Sequence, residues 1–166
     1  MVEYKVLVEQ AKKKDKEAFA KLYELVYQDM YRFALYTLKN PQDAEDVVSD
    51  TVIDAYESIK KLRNAEAFKG WIFRILSNKC RRKMKDYVNK TTELPEDLSL
   101  QGDFTEDVAT KEAFMRLDDY ERLIISMSIF AGYSSREIGI IIKKSDNTVR
   151  SDKSRALKKM EQMLNG

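Results

Sequence analysis

Glycine and proline are scarce in this chain, and their scarcity limits the folds open to it. The 166 residues include five glycines and two prolines, and no glycine precedes Gly70. Sustained alternation of polar and apolar residues, which marks a half-buried strand, occurs nowhere in the sequence. Glycine and proline interrupt helices, so their absence from long stretches favours helix. We therefore expect an all-α protein.

Two long helices are predicted in the first half of the chain. Asp15 begins the first, and Asn40 followed by Pro41 provides a cap and then a proline at the first position of the second. After each start, apolar residues recur at the three-and-four spacing of one helix face. The first stripe comprises Phe19, Leu22, Tyr23, Val26, Met30, Phe33, Ala34, Thr37 and Leu38, and the second comprises Ala44, Val48, Val52, Ala55, Ile59 and Leu62. We expect the first helix to be core scaffold.

The helix that starts at Pro41 also carries an acidic face. Its carboxylates are those of Asp43, Asp46, Asp50, Asp54 and Glu57. Residues three and four apart lie on the same side of a helix, so these like charges repel one another, and the helix dipole favours them only in the first turn. The stripe suggests a basic partner surface. A merely solvated face explains it equally well.

A third helix, from about Ala67 to Tyr87, is basic. Its apolar positions are Ile72, Ile75, Leu76 and Met84, and its polar side gathers Arg74, Asn78, Arg81, Arg82 and Lys85. Aromatic side chains beside cations can hold unpaired bases, because bases stack on rings and phosphates attract charge. For Phe68 and Trp71, however, we expect packing in the core rather than base stacking.

An acidic segment separates two mildly basic blocks. Residues 1 to 90 hold 19 Lys and Arg against 14 Asp and Glu, residues 91 to 109 hold none against 6, and residues 110 to 166 hold 11 against 8. The segment contains Pro95 and Gly102 and lacks a helical apolar period, so it is interpreted as a linker. We expect two domains, at residues 1–88 and 107–166, joined by a flexible linker at 89–106. Fully extended, about seventeen residues reach roughly 55 Å.

The last fifty residues have the pattern of a helix-turn-helix. Ser134 or Ser135 can cap a short helix, with Glu137 placed to complete a capping box. Ile138, Ile141 and Ile142 form the inner face of that helix, which ends at a polar break over residues 143–146. Ser145 then caps a second helix. Its apolar stripe is Val149, Ala156, Leu157, Met160 and Leu164.

The outward side of the second helix is rich in hydrogen-bond donors. It carries Asn147, Thr148, Arg150, Ser151, Ser154, Arg155 and Lys158. A helix fits the major groove, where arginine can bond to guanine and asparagine to adenine, while serine, threonine and lysine hold phosphates. The other interpretation is a solvated basic face. The combination of a short helix, a short turn and a basic helix favours DNA.

Several classes of protein and site are excluded or disfavoured. The chain has no histidine and one cysteine, Cys80, which excludes an internal disulfide and a histidine-based relay or zinc site. Cys80 is interpreted as structural, with a redox switch the less favoured alternative. No apolar run approaches the roughly twenty residues needed to cross a bilayer, and no signal peptide is evident, so a cytoplasmic location without membrane insertion is expected. No catalytic constellation, cofactor or metal site is expected, and the chain is not expected to be an enzyme.

Three segments, in this order, resemble the bacterial extracytoplasmic-function, or group four, sigma factors of the sigma-70 family. They are residues 43–51 (DAEDVVSDT), 68–78 (FKGWIFRILSN) and 145–151 (SDNTVRS). The resemblance covers nearly the whole chain. It implies a sigma-two-like domain, an acidic linker and a sigma-four-like domain that together bind core RNA polymerase and direct transcription initiation at promoters.

The resemblance also implies roles for individual residues. The acidic helix would dock on the β′ clamp helices of the polymerase through Asp43, Asp46, Asp50 and Asp54. The loop from Leu62 to Ala67 would lie near the extruded base of the minus-ten element, and the following helix would help to open and hold the strand. The residues implied in minus-ten binding are Arg63, Asn64, Lys69, Arg74, Asn78, Arg81 and Arg82.

The second helix of the C-terminal motif would read the minus-thirty-five element in duplex form, through the seven outward residues named above. The C-terminal domain would also contact the β flap, and the linker would lead toward the RNA path of the polymerase. An anti-sigma factor is a further partner that the family implies. Promoter DNA and core polymerase are the principal partners.

The sequence departs from the family pattern in the C-terminal motif. Lys143 stands where a glycine is usual, which costs of order 1 kcal/mol if the turn is left-handed. Asp152 and Leu157 each replace a basic residue of the recognition helix. Asp152 could pair with Arg155 or Arg136 or accept from cytosine, and we expect it to tune specificity. The competing functions are a stand-alone helix-turn-helix regulator and a helical protein-binding adaptor.

Overall fold

The computed structural model describes residues 4–88 and 108–165, and the part of the chain that it describes is helical throughout, without strands. We call α1–α4 the N-terminal module and α5–α8 the C-terminal module. The helices are α1 (Tyr4–Lys12), α2 (Lys16–Leu38), α3 (Pro41–Ser58), α4 (Phe68–Val88), α5 (Val108–Met115), α6 (Asp119–Ile129), α7 (Ser135–Ile142) and α8 (Asp146–Asn165). Short 3₁₀ turns at Ile59–Lys61 and Ala65–Ala67 join α3 to α4. The all-α prediction is confirmed, and the predicted linker lies outside the described residues.

The central helix of the N-terminal module is α2, which begins where the sequence predicts. The Asp15 side chain accepts hydrogen bonds from the backbone N–H groups of Glu17 and Ala18, at 3.0 and 3.2 Å. The predicted apolar stripe is buried along the whole helix apart from Tyr23, which is half-buried. The helix ends at Lys39, whose left-handed φ of 57° lets its N–H bond to the carbonyl of Leu35.

Helices α3 and α4 complete the N-terminal core. Asn40 caps α3 by accepting from the N–H of Asp43 at 3.1 Å, with Pro41 in the first turn. Predicted burial of Phe68 is confirmed, while Trp71 is half-buried against the core. Helix α1, which the sequence reasoning missed, covers this core with buried Val8 and Ala11.

Cys80 lies wholly inside the N-terminal module. It is a free thiol without exposed surface, and burial raises its pKa above the ordinary value. The cations next to it in sequence do not activate it, because desolvation penalises the thiolate. The structural interpretation of Cys80 is therefore favoured over a redox switch.

In the C-terminal module, capping boxes start two successive helices. Asp118 and Glu121 exchange side-chain-to-backbone hydrogen bonds at the start of α6. Ser134 and Glu137 do the same at the start of α7, as predicted, at 3.1 Å in each direction. Each box satisfies backbone N–H groups that the first helical turn would otherwise leave unpaired.

Helices α7 and α8 form the predicted helix-turn-helix. Lys143 ends α7 with a left-handed φ of 62°, so the departure from glycine does not prevent the turn. The Ser145 hydroxyl then accepts from the N–H of Thr148 at 3.1 Å and caps α8, as expected. The predicted apolar stripe of α8 is only partly correct, because Val149 and Ala156 are buried whereas Leu157 and Leu164 are each 45% exposed. Met160, in the same predicted stripe, is partly buried against the core.

Two negative findings concern the described residues. No helix within residues 4–88 or 108–165 is long and apolar enough to span a lipid bilayer. Over the same two ranges, no group of three or more acidic or cysteine side chains is arranged to hold a metal ion.

Candidate nucleic-acid and polymerase interfaces

The seven outward residues of α8 form one exposed surface, which we call the recognition face. Buried Val149 and Ala156 hold the opposite side of α8 against the other helices of the module. The recognition face consists of Asn147, Thr148, Arg150, Ser151, Ser154, Arg155 and Lys158, all of them exposed. An exposed helix with this donor set has the shape and chemistry that major-groove binding requires.

Aspartates on the same helix orient the two arginines of the recognition face. The Arg150 guanidinium lies 3.1 Å from the Asp146 carboxylate, one turn earlier. The Arg155 guanidinium lies 2.5 Å from Asp152. Because both arginines are largely exposed, these pairs contribute little to stability, but they restrict where each guanidinium can point.

Besides its ion pair with Arg155, Asp152 makes a contact with the rest of the module. Its second carboxylate oxygen accepts from the Tyr120 hydroxyl of α6 at 3.0 Å, and its side chain is only 17% exposed. The Lys144 ammonium sits 4.0 Å from the centre of the Tyr120 ring. Of the partners suggested by the sequence, the structure selects Arg155 rather than Arg136. Asp152 therefore restricts the position of the Arg155 guanidinium.

The residues implied in minus-ten binding occupy the loop before α4 and one side of that helix. Arg63, Arg74 and Arg82 are exposed, and Lys69, Asn78 and Arg81 are half-buried. The Asn64 side-chain oxygen accepts from the N–H of Glu66 at 3.0 Å and caps the short turn, so this oxygen is engaged within the protein. Arg63, Asn64, Lys69 and Arg74 line one cleft, and Asn78, Arg81 and Arg82 lie further along α4.

Two of these cations already have partners. The Lys69 ammonium lies 3.3 Å from the Asp29 carboxylate of α2. Arg81 donates to the backbone carbonyl of Ile141, at the end of α7, at 2.9 Å. The second contact joins the two modules, and it uses a residue that the resemblance assigns to DNA.

A cleft of about 660 Å³ lies between the loop before α4 and the start of the helix-turn-helix. Arg63, Lys69 and Arg74 supply positive charge on one wall, and Trp71 supplies an exposed part of its indole. The opposite wall comes from the C-terminal module. Its lining residues there are Ala131, Gly132, Tyr133, Glu137, Ile140 and Ile141.

The acidic face of α3 divides into partnered and unpartnered carboxylates. The Tyr87 hydroxyl of α4 donates a hydrogen bond to Asp43, and the Lys79 ammonium of α4 lies 2.7 Å from the Asp54 carboxylate. Asp46 and Asp50 are exposed and make no ion pair with any described residue. The interpretation as a merely solvated face does not hold for Asp43 and Asp54, because side chains of α4 bond to them.

The sequence analysis missed side chains that form hydrogen bonds between the modules. Arg122 and Tyr133 bond across them to Tyr36 and to Gly70. The sequence does contain one signal, because an arginine at the edge of the apolar run of α6 needs acceptors if it is buried. It does not say which acceptors.

Both modules match known families. The sigma-70 region 2 family matches residues 22–89, and the sigma-70 region 4 family matches residues 108–160. The RNA polymerase sigma factor SigV of Bacillus subtilis is 33% identical over 141 residues, which cover 82% of this chain and 85% of SigV. The ECF RNA polymerase sigma factor SigM of Mycobacterium tuberculosis is 26% identical and covers 90% of this chain and 79% of its own.

Solved structures share the fold. RpoE of Bartonella quintana, crystallised with the anti-sigma factor NepR, superposes with a TM-score of 0.70 at 22% identity and covers 89% of this chain and 96% of its own. CnrH, in complex with the cytosolic domain of CnrY, gives a TM-score of 0.67 at 21% identity and covers 96% of both chains. The chain belongs to the extracytoplasmic-function sigma factors of the sigma-70 family, alternative sigma factors that bind core RNA polymerase and direct promoter recognition and transcription initiation.

Proposed function

We propose that the two modules divide the work of promoter recognition. The N-terminal domain, residues 1–88, docks on core polymerase and holds the minus-ten element, while the C-terminal domain, residues 107–166, reads the minus-thirty-five element and contacts the β flap. The observation that supports this assignment is that acidic and basic side chains lie on different helices. Unpaired carboxylates lie on α3, whereas exposed arginines lie along α4 and on the recognition face of α8.

Asp46 and Asp50 are the main polymerase contacts in this proposal, and they dock on the β′ clamp helices. They are exposed, adjacent on one face and without a partner among the described residues. Asp43 and Asp54 border the same face but already bond to α4. The polymerase is therefore attracted most strongly to the centre of the acidic face of α3, where the carboxylates have no partner within the described residues.

The cleft before α4 receives an unpaired base of the minus-ten strand. Arg63 and Arg74 neutralise phosphates at its rim, and the exposed part of Trp71 offers a ring on which a base can stack. Asn78 and Arg82 extend the basic surface along α4. Neither this module nor the C-terminal one needs high affinity alone, because tethering raises the effective concentration of each at its site.

The recognition face enters the major groove of the minus-thirty-five duplex. Arg150 and Arg155 are the candidate base readers, since each can bond twice to guanine. Thr148, Ser151, Ser154 and Lys158 hold phosphates, and Asn147 is placed to contact adenine. No covalent chemistry and no cofactor enter this mechanism, and the protein works in the cytoplasm with the polymerase.

An anti-sigma factor is a further partner in this proposal. RpoE of Bartonella quintana, which shares this fold, is recorded with one. Occupation of the cleft between the modules by such a protein would keep the minus-ten surface from promoters.

Reversal of charge at Asp46 and Asp50 tests the polymerase assignment. The double variant Asp46→Lys, Asp50→Lys should lose co-purification with core polymerase, because two attractive contacts become repulsive. Its fold should persist, since both side chains are exposed and unbonded. Circular dichroism and thermal unfolding check the fold.

A matched control reverses two exposed carboxylates on other helices, Glu24→Lys and Glu112→Lys. This control makes the same change in net charge and should still co-purify with the polymerase. Equal recovery of polymerase with the two double variants would remove α3 as the docking face.

A further inference from the structure

Helix α6 holds the recognition helix α8 through three side-chain contacts. Two of them use lysines of α8, at 2.7 Å from Lys153 to Ser128 and at 2.8 Å from Lys159 to Glu121. In the third, the Tyr120 hydroxyl of α6 donates to the Asp152 carboxylate at 3.0 Å. Of these three contacts, the one with Asp152 continues to an arginine of the recognition face.

Asp152 bridges Tyr120 and Arg155 with its two carboxylate oxygens. Oδ2 accepts from the Tyr120 hydroxyl, and Oδ1 accepts from the Nη2 group of Arg155 at 2.5 Å. The Asp152 side chain is 17% exposed, whereas that of Arg155 is 70% exposed. The bridge therefore connects the helix behind α8 to a guanidinium that faces solvent. Arg155 keeps its remaining N–H donors for another ligand.

Arg150, the other arginine of the recognition face, lacks such an anchor. Its guanidinium lies 3.1 Å from Oδ2 of Asp146. The second oxygen of Asp146, Oδ1, has no hydrogen-bond partner within the described residues. Both arginines are thus paired with an aspartate of α8, but only the aspartate beside Arg155 is held by a side chain of another helix. Arg150 provides an internal comparison.

Tyr120 is itself held in place on its ring face. The ring is half-buried against the core, and the Lys144 ammonium, in the turn between α7 and α8, lies 4.0 Å from its centre. Tyr120→Phe keeps the ring and therefore the contact with Lys144. The substitution removes the hydroxyl that bonds to Asp152, so its effect can be assigned to that bond.

A fixed guanidinium favours a base over a phosphate. Guanine offers two acceptors side by side, and an arginine binds both only when its donors point at them. A mobile arginine loses side-chain freedom when it binds, whereas one that is already positioned loses less. The neighbouring carboxylate also repels phosphates, which otherwise attract any exposed cation.

We propose that Tyr120 is a positioning residue that sets specificity for one base pair of the upstream element. Its bond to Asp152 fixes the direction of the Arg155 guanidinium, which then bonds to guanine in the major groove. The proposal rests on the role in duplex DNA proposed above for the recognition face. Tyr120 acts through Asp152 and Arg155 and does not itself touch a base.

Selection of DNA by the holoenzyme tests this role. Core polymerase and the full chain are combined and bound to duplex promoters whose minus-thirty-five region is randomised, and the bound DNA is sequenced. Arg155→Ala and Arg150→Ala each identify the base pair that the arginine reads. Tyr120→Phe should lower the preference for guanine at the Arg155 pair about two- to ten-fold, the size expected for one lost hydrogen bond.

Two further readouts should stay constant in Tyr120→Phe. Preference at the pair read by Arg150 should not change, because the Asp146 pair does not involve Tyr120. The slope of affinity against salt should also match that of the unaltered protein, because no charge has been removed. The control variant is Tyr27→Phe, at a 42% exposed position of α2, which should keep every preference.

A double variant separates positioning from a general effect on structure. In the Arg155→Ala background, Tyr120→Phe should cause no further loss of preference at any pair, because the residue through which it acts is absent. A loss that persists in that background, or that spreads over all pairs, would overturn the positioning role. Thermal unfolding of each variant checks the fold.

The arginine variants distinguish failure of this proposal from failure of the proposed function. If Arg155→Ala lowers preference at one pair and Tyr120→Phe leaves that pair unchanged, Tyr120 has no positioning role, whereas the recognition face still reads DNA. A uniform loss of affinity in Arg155→Ala would place Arg155 on a phosphate and overturn the proposal. If neither arginine variant alters binding, the recognition face has no role in reading the duplex.

Discussion

At the scale of single residues, the turn of the helix-turn-helix depends on Gly139 more than on its C-cap. A side chain at position 139 would place its Cβ 2.5 Å from the backbone carbonyl oxygen of Lys144, whereas Lys143 adopts the left-handed conformation at a modest cost. The sequence drew attention to Lys143 because a glycine is usual there. Position 139 requires glycine because the backbone of Lys144 approaches it after the turn. Only the folded structure shows this approach.

Gly139→Ala should therefore destabilise the protein by about 1–3 kcal/mol, because the carbonyl that it meets cannot move without disturbing the cap of α8. Gly70→Ala is the matched control, since its Cβ would have its nearest contact at 3.7 Å, an ordinary distance to the Tyr133 ring. That control should be neutral or slightly stabilising in a helix. Urea unfolding compares the two, and equal midpoints would show that the turn relaxes freely.

Asp152 offers a second residue-scale test, of the recognition face. Asp152→Ala removes a negative charge near the DNA backbone and frees Arg155 from its 2.5 Å pair. We expect affinity to rise for all upstream sequences, with a steeper salt dependence, while discrimination at the base read by Arg155 falls. Binding of the holoenzyme to matched and mismatched upstream elements measures both.

The control for Asp152 is Glu112→Gln, which neutralises an exposed carboxylate on α5. If Asp152→Ala leaves affinity and site preference at the values of the unaltered protein, Asp152 has no role in tuning recognition.

At the scale of helices, the first residues of most helices were predictable from the sequence. The contacts between side chains of different helices were not. Asp15, Asn40 and Ser134 act through backbone N–H groups two or three residues ahead, so a local pattern suffices to find them. Helix α1 was missed because nine residues carry too short a stripe to stand out. The pair between Lys79 and Asp54 joins two helices, and helical spacing alone does not fix which faces meet.

The end of α2 gives a prediction about pH. Burial, reinforced by the nearby Arg122 guanidinium and opposed by Asp119, lowers the pKa of Lys39 from 10.5 to about 8. The charged form of Lys39 therefore opposes folding below about pH 8, and this penalty fades as the pH rises toward 10.5. Lys39→Met should be more stable than the unaltered protein at neutral pH.

The stability difference between Lys39→Met and the unaltered protein should shrink as the pH rises through that window. Unfolding midpoints of both proteins across the range measure it, and the comparison removes the contribution of groups that titrate in both. A difference that stays constant with pH would contradict the lowered pKa.

At the scale of the whole molecule, the sequence revealed two modules but not their packing. The charge change over residues 91 to 109 marks the junction, and each module has its own helical pattern. The hydrogen bonds between the modules join residues sixty or more positions apart, such as Arg122 and Tyr36. No local pattern encodes such a pair. This packing places a wall of the C-terminal module opposite the cleft residues that we assign to the minus-ten strand.

Transcription in vitro tests the central claim most directly. Core polymerase is mixed with this protein and a pool of genomic promoters, and the starts of the transcripts are mapped by sequencing. We expect a new set of start sites that core polymerase alone does not use, and that set should disappear with the Asp46→Lys, Asp50→Lys variant. Start sites identical with and without the protein would contradict the account.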